Sequence, residues 1–145
     1  MTQEAQSYAN HAKYVPMYHL VTFGLLVVNL GWATWRMIRS LSPGSVVALL
    51  LALALIFLFF FARLFALGVQ DRVIRLEERL RMERLFEGEL RARIGEFTTE
   101  QLIGLRFASD DELPALARRV LEEGIADRKT IKQSVRSWRP DHQRI

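Results

Sequence analysis

The chain has 145 residues, half of them hydrophobic, with a formal net charge of +4 and no cysteine. The missing thiols exclude structural disulfides, thiolate catalysis and Cys-ligated metals. A pI near 10.0 points at first to nucleic acid, yet residues 63–145 carry 17 Lys/Arg against 15 Asp/Glu, a balance of only +2.

The placement of the charges sets the organisation. No Asp, Glu, Lys or Arg lies between Lys13 and Arg36, or between Arg39 and Arg63. Two uncharged apolar windows of about 20 residues match two bilayer-spanning helices. Residues 1–14 form a polar N-terminal segment whose basic content before the apolar run is Lys13 alone. No small-residue cleavage site follows, because Ala33-Thr34-Trp35 ends on a bulky ring. The first span is therefore expected to stay as an anchor.

That span is predicted over residues 15–36. Tyr14 and Tyr18 stand near one end and Trp32 and Trp35 near the other, the aromatic belt of a membrane helix. His19 and Asn29 lie inside it. A polar group at membrane depth is costly, which makes it a functional candidate. The structural reading is favoured for both. His19 is within a turn or two of the interface, and Asn29 can bond to the partner helix. The connection from Arg36 to Ser45 joins only antiparallel neighbours, with Ser42 as N-cap and Pro43 at the first helical position.

The second span is predicted over residues 44–67. Gly44, Ala48 and Ala52 repeat every four residues, and small side chains on one stripe let helix backbones approach. With Gly31 and Ala33 of the first span they are expected to form the hairpin contact, a homodimer seam being the alternative. Phe57, Phe59, Phe60 and Phe61 follow and are expected mostly to face lipid.

Gly68 does not by itself end a helix, so the span is expected to run on as a stalk over residues 68–87. The apolar residues Val69, Val73, Leu76 and Leu80 have 4-3-4 spacing, a coiled-coil seam of two heptads. The favoured expectation packs this seam on the chain's own C-terminal helices, and a parallel dimer is the alternative. Asp71–Arg75 and Glu77–Arg81 are acid-before-base pairs at i,i+4. The connecting loop carries Arg36 and Arg39, whereas the other side carries Lys13, Arg72, Arg75, Arg79, Arg81 and Arg84. Positive-inside counting puts both termini in the cytoplasm, with Arg63 snorkelling to the headgroups.

Residues 88–145 are predicted as a small domain of short helices. Thr98-Thr99-Glu100-Gln101 and Ser109-Asp110-Asp111-Glu112 read as capping boxes. They predict helices over 99–108 and 110–123, with Gly124 as a C-terminal stop. Asp127 is expected to cap a last helix over 128–138, before Pro140. The fold class is thus all-α: a transmembrane hairpin, a stalk and a small helical bundle.

Candidate chemistry is sparse. Arg128, Lys129, Lys132, Arg136 and Arg139 offer a basic last helix for phosphates, but base-reading side chains are reduced to Gln133 and Ser134. Anionic lipid or a protein partner accounts equally for Arg63, Arg72, Arg75, Arg128, Lys129, Lys132 and Arg136, and nucleic acid is the weaker reading. The three histidines, His11, His19 and His142, lack metal-pair spacing, and a redox or quinone site at His19 would need a partner subunit. The acidic residues alternate with arginine, and the eight glycines are isolated, so neither an acid–base pair nor a phosphate loop is present. No enzyme activity, metal or cofactor is expected.

A resemblance rests on particular residues. Asn10-His11, Tyr14-Val15-Pro16 and His19 precede or open the first span. The most specific block is Ala62-Arg63-Leu64-Phe65-Ala66-Leu67-Gly68-Val69-Gln70-Asp71-Arg72-Val73-Ile74-Arg75-Leu76-Glu77-Glu78-Arg79-Leu80-Arg81. It continues through Leu105-Arg106-Phe107-Ala108-Ser109, Glu112-Leu113-Pro114, Asp127-Arg128-Lys129 and Ile131-Lys132-Gln133. In these the chain resembles a family of bacterial two-span membrane proteins of unknown function. The resemblance implies an inner-membrane protein and supplies no catalytic residues. The expectation is a protein that works by binding, as a scaffold, adaptor or accessory subunit of a larger membrane complex, its partners being the lipid bilayer and either a protein of that complex or further copies of itself.

Overall fold

A computed structural model describes residues 14–141. Among them the chain is all-helical, with two long apolar helices followed by shorter ones. A π-helical turn, Met17–Thr22, leads into α1, Phe23–Arg39. α2 runs unbroken over Pro43–Leu85, with Gly68 inside it. Then come α3 (Gly88–Ala92), a 3-10 turn (Ile94–Glu96), α4 (Thr99–Leu105), α5 (Leu113–Glu122) and α6 (Arg128–Ser134). The π turn and α1 together, and α2, are each long and apolar enough to cross a membrane. The described residues divide into two compact units, 14–67 and 68–141.

In the first unit the hairpin turn is fixed by two serines. The Ser45 amide donates to Ser42 Oγ at 3.2 Å, and the Ser42 amide donates to Ser45 Oγ at 2.9 Å. This reciprocal cap satisfies orphan donors at the start of α2, and Pro43 fits the first position because it has no N–H to satisfy. At the other end of the hairpin the Tyr18 hydroxyl donates to the Phe59 carbonyl at 2.7 Å, and the two rings stack 4.3 Å apart. Phe57, Phe60 and Phe61 are exposed, while Phe59 is half-buried.

The second unit has one core, built from Met82 and Phe86 of α2, Leu90, Ile94 and Phe97, Leu102 and Leu105, Leu113, Leu116 and Val120, and Ile131. Thr98 forms the predicted capping box, with its side chain bonded to the Gln101 amide and Gln101 bonded back. Gln101 is buried, and its Nε2 also donates to the Ile125 carbonyl. Gly124 sits at φ +63° after α5, and the Ile125 amide donates to the Val120 carbonyl at 3.0 Å. That is a Schellman ending, which needs a residue free to adopt the left-handed region.

α4 ends at Leu105, short of the expected 108, and two further boundaries differ from expectation for one shared reason. The segment after Ser109 does not close a reciprocal capping box. The Glu112 amide donates to Ser109 Oγ, but the Glu112 carboxylate turns away to accept from the Arg136 and Ser137 amides at 2.9 and 2.7 Å. Consequently α5 starts only at Leu113, and the last helix stops at Ser134 instead of reaching Trp138. After it the chain bends at Arg136 and Ser137, and Ala108 and Trp138 form an antiparallel bridge. A tertiary acceptor has outcompeted helix continuation.

Gly104 sets the closest approach of α4 to α6. A Cβ there would stand 2.8 Å from both Cβ and Cγ2 of Ile131, and 3.3 Å from the Arg128 carbonyl. Gly104→Ala is expected to destabilise the C-terminal helices by about 1–3 kcal/mol through overpacking, despite alanine's better helix propensity. Chemical unfolding followed by Trp138 fluorescence in a Trp32→Phe/Trp35→Phe background measures it; an unchanged or raised midpoint would show that α6 yields without cost.

Candidate functional site

The polar centre of the second unit is Arg81. It lies on the face of α2 that also carries Ile74, Glu78, Met82 and Phe86, all buried. Glu78, Arg81 and Arg106 are only 5%, 3% and 6% exposed. Arg81 Nε donates to Asp110 Oδ1 at 2.7 Å, Nη2 to the Ala108 carbonyl at 2.7 Å and Nη1 to Glu78 Oε2 at 3.1 Å. Arg139 Nη1 reaches Glu78 Oε1 and Arg106 Nη2 reaches Asp141 Oδ2, each at 3.4 Å. Burial pushes the Glu78 carboxyl above its ordinary value of 4.5, opposed by Arg81, Arg139 and Arg106. This cluster borders a groove of about 1030 Å³ between the stalk and residues 139–141.

The cluster ties backbone together. Arg81 bonds to the carbonyl of Ala108, which bridges to Trp138, and the Arg139 amide donates to the Phe107 carbonyl at 2.7 Å. Phe107 is buried, stacked on Trp138 at 4.5 Å, with Arg106 and Lys132 over its ring at 4.5 and 5.1 Å. The Arg81 guanidinium is engaged at all three nitrogens by Asp110, Glu78 and the Ala108 carbonyl, which fixes the stalk to the segment 108–110.

The predicted site residues fall into separate places. In the hairpin, Ala33 and Ala52 are buried and Ala48 is half-buried. Gly31 and Gly44 are exposed, with no tight neighbour to either. The expectation that these two glycines line the hairpin contact is corrected: the half-buried and buried rows run through Leu26, Leu30 and Ala33 and through Ser45, Ala48, Ala52 and Phe59. Bulky Leu side chains on α1 remove the need for backbone-to-backbone approach at glycine. Asn29 flanks that row, three residues after Leu26 and four before Ala33, but it is exposed, and among the described residues its side chain makes no hydrogen bond to the second span. His19 Nδ1 lies 2.9 Å from the Val15 carbonyl, and its ring stacks on Tyr14, an ordinary structural setting.

In the second unit the seam is also corrected. Val69, Val73, Leu76 and Leu80 do not pack on the C-terminal helices but are 62%, 48%, 61% and 52% exposed. The core takes the face with Met82 and Phe86 instead, where the Phe86 ring buries more apolar surface than any Val or Leu of the seam would. The expected Glu77–Arg81 pair gives way to Glu78 and Asp110. Arg72 and Arg75 are exposed, and Arg63 is half-buried with a partner in the chain. The basic row of the last helix is not one surface. Arg128 pairs with Glu100, Lys132 is buried over Phe107, and Arg139 reaches Glu78, leaving Lys129 and Arg136 outward. His11 and His142 lie outside the described residues. Among the described residues no group of three or more acidic or histidine side chains is placed to hold a metal.

The cluster around Arg81 was missed by sequence reading. Its signal was present: Ile74, Glu78, Arg81, Met82 and Phe86 share the helical period with the apolar residues that enter the core. No curated protein and no solved structure matches the chain. The one identification comes from a family model that fits residues 1–145 from end to end, and the chain belongs to that family, described as a family of unknown function (DUF6526).

Proposed function

We propose that the protein acts by binding inside a membrane, as a scaffold, adaptor or accessory subunit of a larger complex, and carries out no catalysis of its own. In this reading the hairpin spans a bacterial inner membrane with both termini in the cytoplasm, as the arginine asymmetry favours. The observation that supports a partner is Asn29. It stands near the middle of the 23-residue candidate span Met17–Arg39, exposed, with no side-chain hydrogen bond among the described residues. An amide left in hydrocarbon is costly, and a hydrogen bond from a neighbouring helix relieves that cost.

Gentle extraction of native membranes, followed by blue-native electrophoresis and mass spectrometry, tests this. The wild-type chain is expected in a stoichiometric complex with another membrane protein. Asn29→Leu is expected to weaken that complex about tenfold, the equivalent of an interhelical hydrogen bond of 1–2 kcal/mol, while leaving the hairpin folded. A wild-type chain that migrates alone after extraction and crosslinking would sink the proposal, as would a variant indistinguishable from wild type.

A further inference from the structure

We infer that the exposed stripe Val69, Val73, Leu76 and Leu80 is where a second copy of this chain docks, in parallel, as a two-heptad coiled coil. At 3.6 residues per turn these four side chains lie on roughly the opposite side of α2 from Met82 and Glu78. The helix therefore has two apolar faces, one consumed by its own core and one uncovered. Their spacing puts Val73 and Leu80 at a positions, and Val69 and Leu76 at d positions. A helix needing only solubility on that side would carry polar residues there.

The flanking charges choose the occupant. Arg72 falls at g and Glu77 at the following e; both are exposed, and neither makes an ion pair among the described residues. In a parallel pair, g of one copy faces the next e of the other, so each Arg72 meets the partner's Glu77, twice by symmetry. In an antiparallel pair g faces g, which sets Arg72 and Arg79 against arginine. The stripe is self-complementary in one direction. It is also short: the next g–e pair is Arg79 with Arg84, and the next d residue is Glu83, so pairing stops after Leu80. Two heptads are marginal in free solution. Confinement of both copies by membrane spans supplies the effective concentration the seam lacks. The inference uses that anchoring but not the intramembrane partner proposed above, so the two can fail separately.

The absence of native cysteine makes disulfide mapping clean. Full-length Val73→Cys, Leu76→Cys and Leu80→Cys are reconstituted alone in lipid vesicles and oxidised, beside Arg75→Cys on the flank. All three seam positions should give covalent dimers several-fold faster than Arg75→Cys, because a parallel in-register seam brings each residue against itself. Arg72→Glu or Glu77→Arg alone should cut the dimer fraction about fivefold, as expected for two exposed pairs turned repulsive, and the double exchange should restore it. Equal crosslinking at all four positions would mean random collision and overturn the proposal. Crosslinking at a single seam position would mean an antiparallel pair, and crosslinks formed only in native membranes would mean a different protein; either overturns it. The seam residues are exposed, so folding is checked simply by unchanged helicity.

Discussion

Arg81→Met is expected to cost about 3–5 kcal/mol of stability in the C-terminal unit, the penalty for removing one partner of a buried ion pair. The methionine fills much of the same space, so the loss reports electrostatics more than volume. Without the guanidinium, buried Glu78 keeps the 3.4 Å contact from Arg139 and the charge of Arg106, and the carbonyls of Ala108 and Arg106 lose the bonds from Arg81. The loss should depend on pH with a definite sign. Burial already raises the Glu78 carboxyl above 4.5 in the folded chain, and deleting its nearest cation raises it further. The folded state then holds the proton more tightly than the unfolded state. Stability of the variant should therefore fall as pH climbs from 4.5 through the raised value, and recover when the pH is brought back down. Unfolding midpoints across that range decide the matter. A deficit independent of pH would place the role of Arg81 in its contacts to backbone alone. The Glu78→Leu/Arg81→Met double variant should lose less than the two single changes added together, since no charge is left stranded.

The same residues show why part of the molecule was legible in sequence and part was not. The two spans were readable because an uncharged run of twenty residues has few other uses. The caps at Ser42, Thr98 and Asp127 were readable because they are local: the side chain satisfies an amide two or three residues away. Glu112 was misread for the opposite reason. Its carboxylate had the spacing of a local cap, but the amides of Arg136 and Ser137 won it, and no local pattern announces a partner 24 residues on. The stalk failed on a choice of faces. Val69, Val73, Leu76 and Leu80 carry the cleaner heptad, whereas the face that enters the core contains Glu78 and Arg81, charges that hide an apolar period until their partners are known. The hairpin glycines illustrate a smaller version of the same error, since small residues permit close approach without requiring it.

Phe107→Ala should be nearly as damaging as the loss of Arg81, at about 3–5 kcal/mol for a fully buried aromatic side chain. The ring is the hinge pin of the C-terminal segment. Trp138 stacks on it, Arg106 and Lys132 lie over it, and its own carbonyl takes the Arg139 amide. Truncation removes apolar area and at once strips two cations of a ring face that offsets their burial. The expected signature is therefore not uniform loosening. In a Trp32→Phe/Trp35→Phe background, leaving Trp138 as the single indole, the near-ultraviolet signal of that ring should collapse at denaturant levels where helicity is still intact. Phe107→Leu should recover part of the packing but not the stacked signal, because a branched aliphatic group fills volume without presenting a π face. If Phe107→Ala left the Trp138 signal and the unfolding midpoint unchanged, the bridge between Ala108 and Trp138 would have to be held by Arg81 and Glu112 alone. The route from the stalk to the C-terminal segment would then run through hydrogen bonds, with the aromatic stack a passenger.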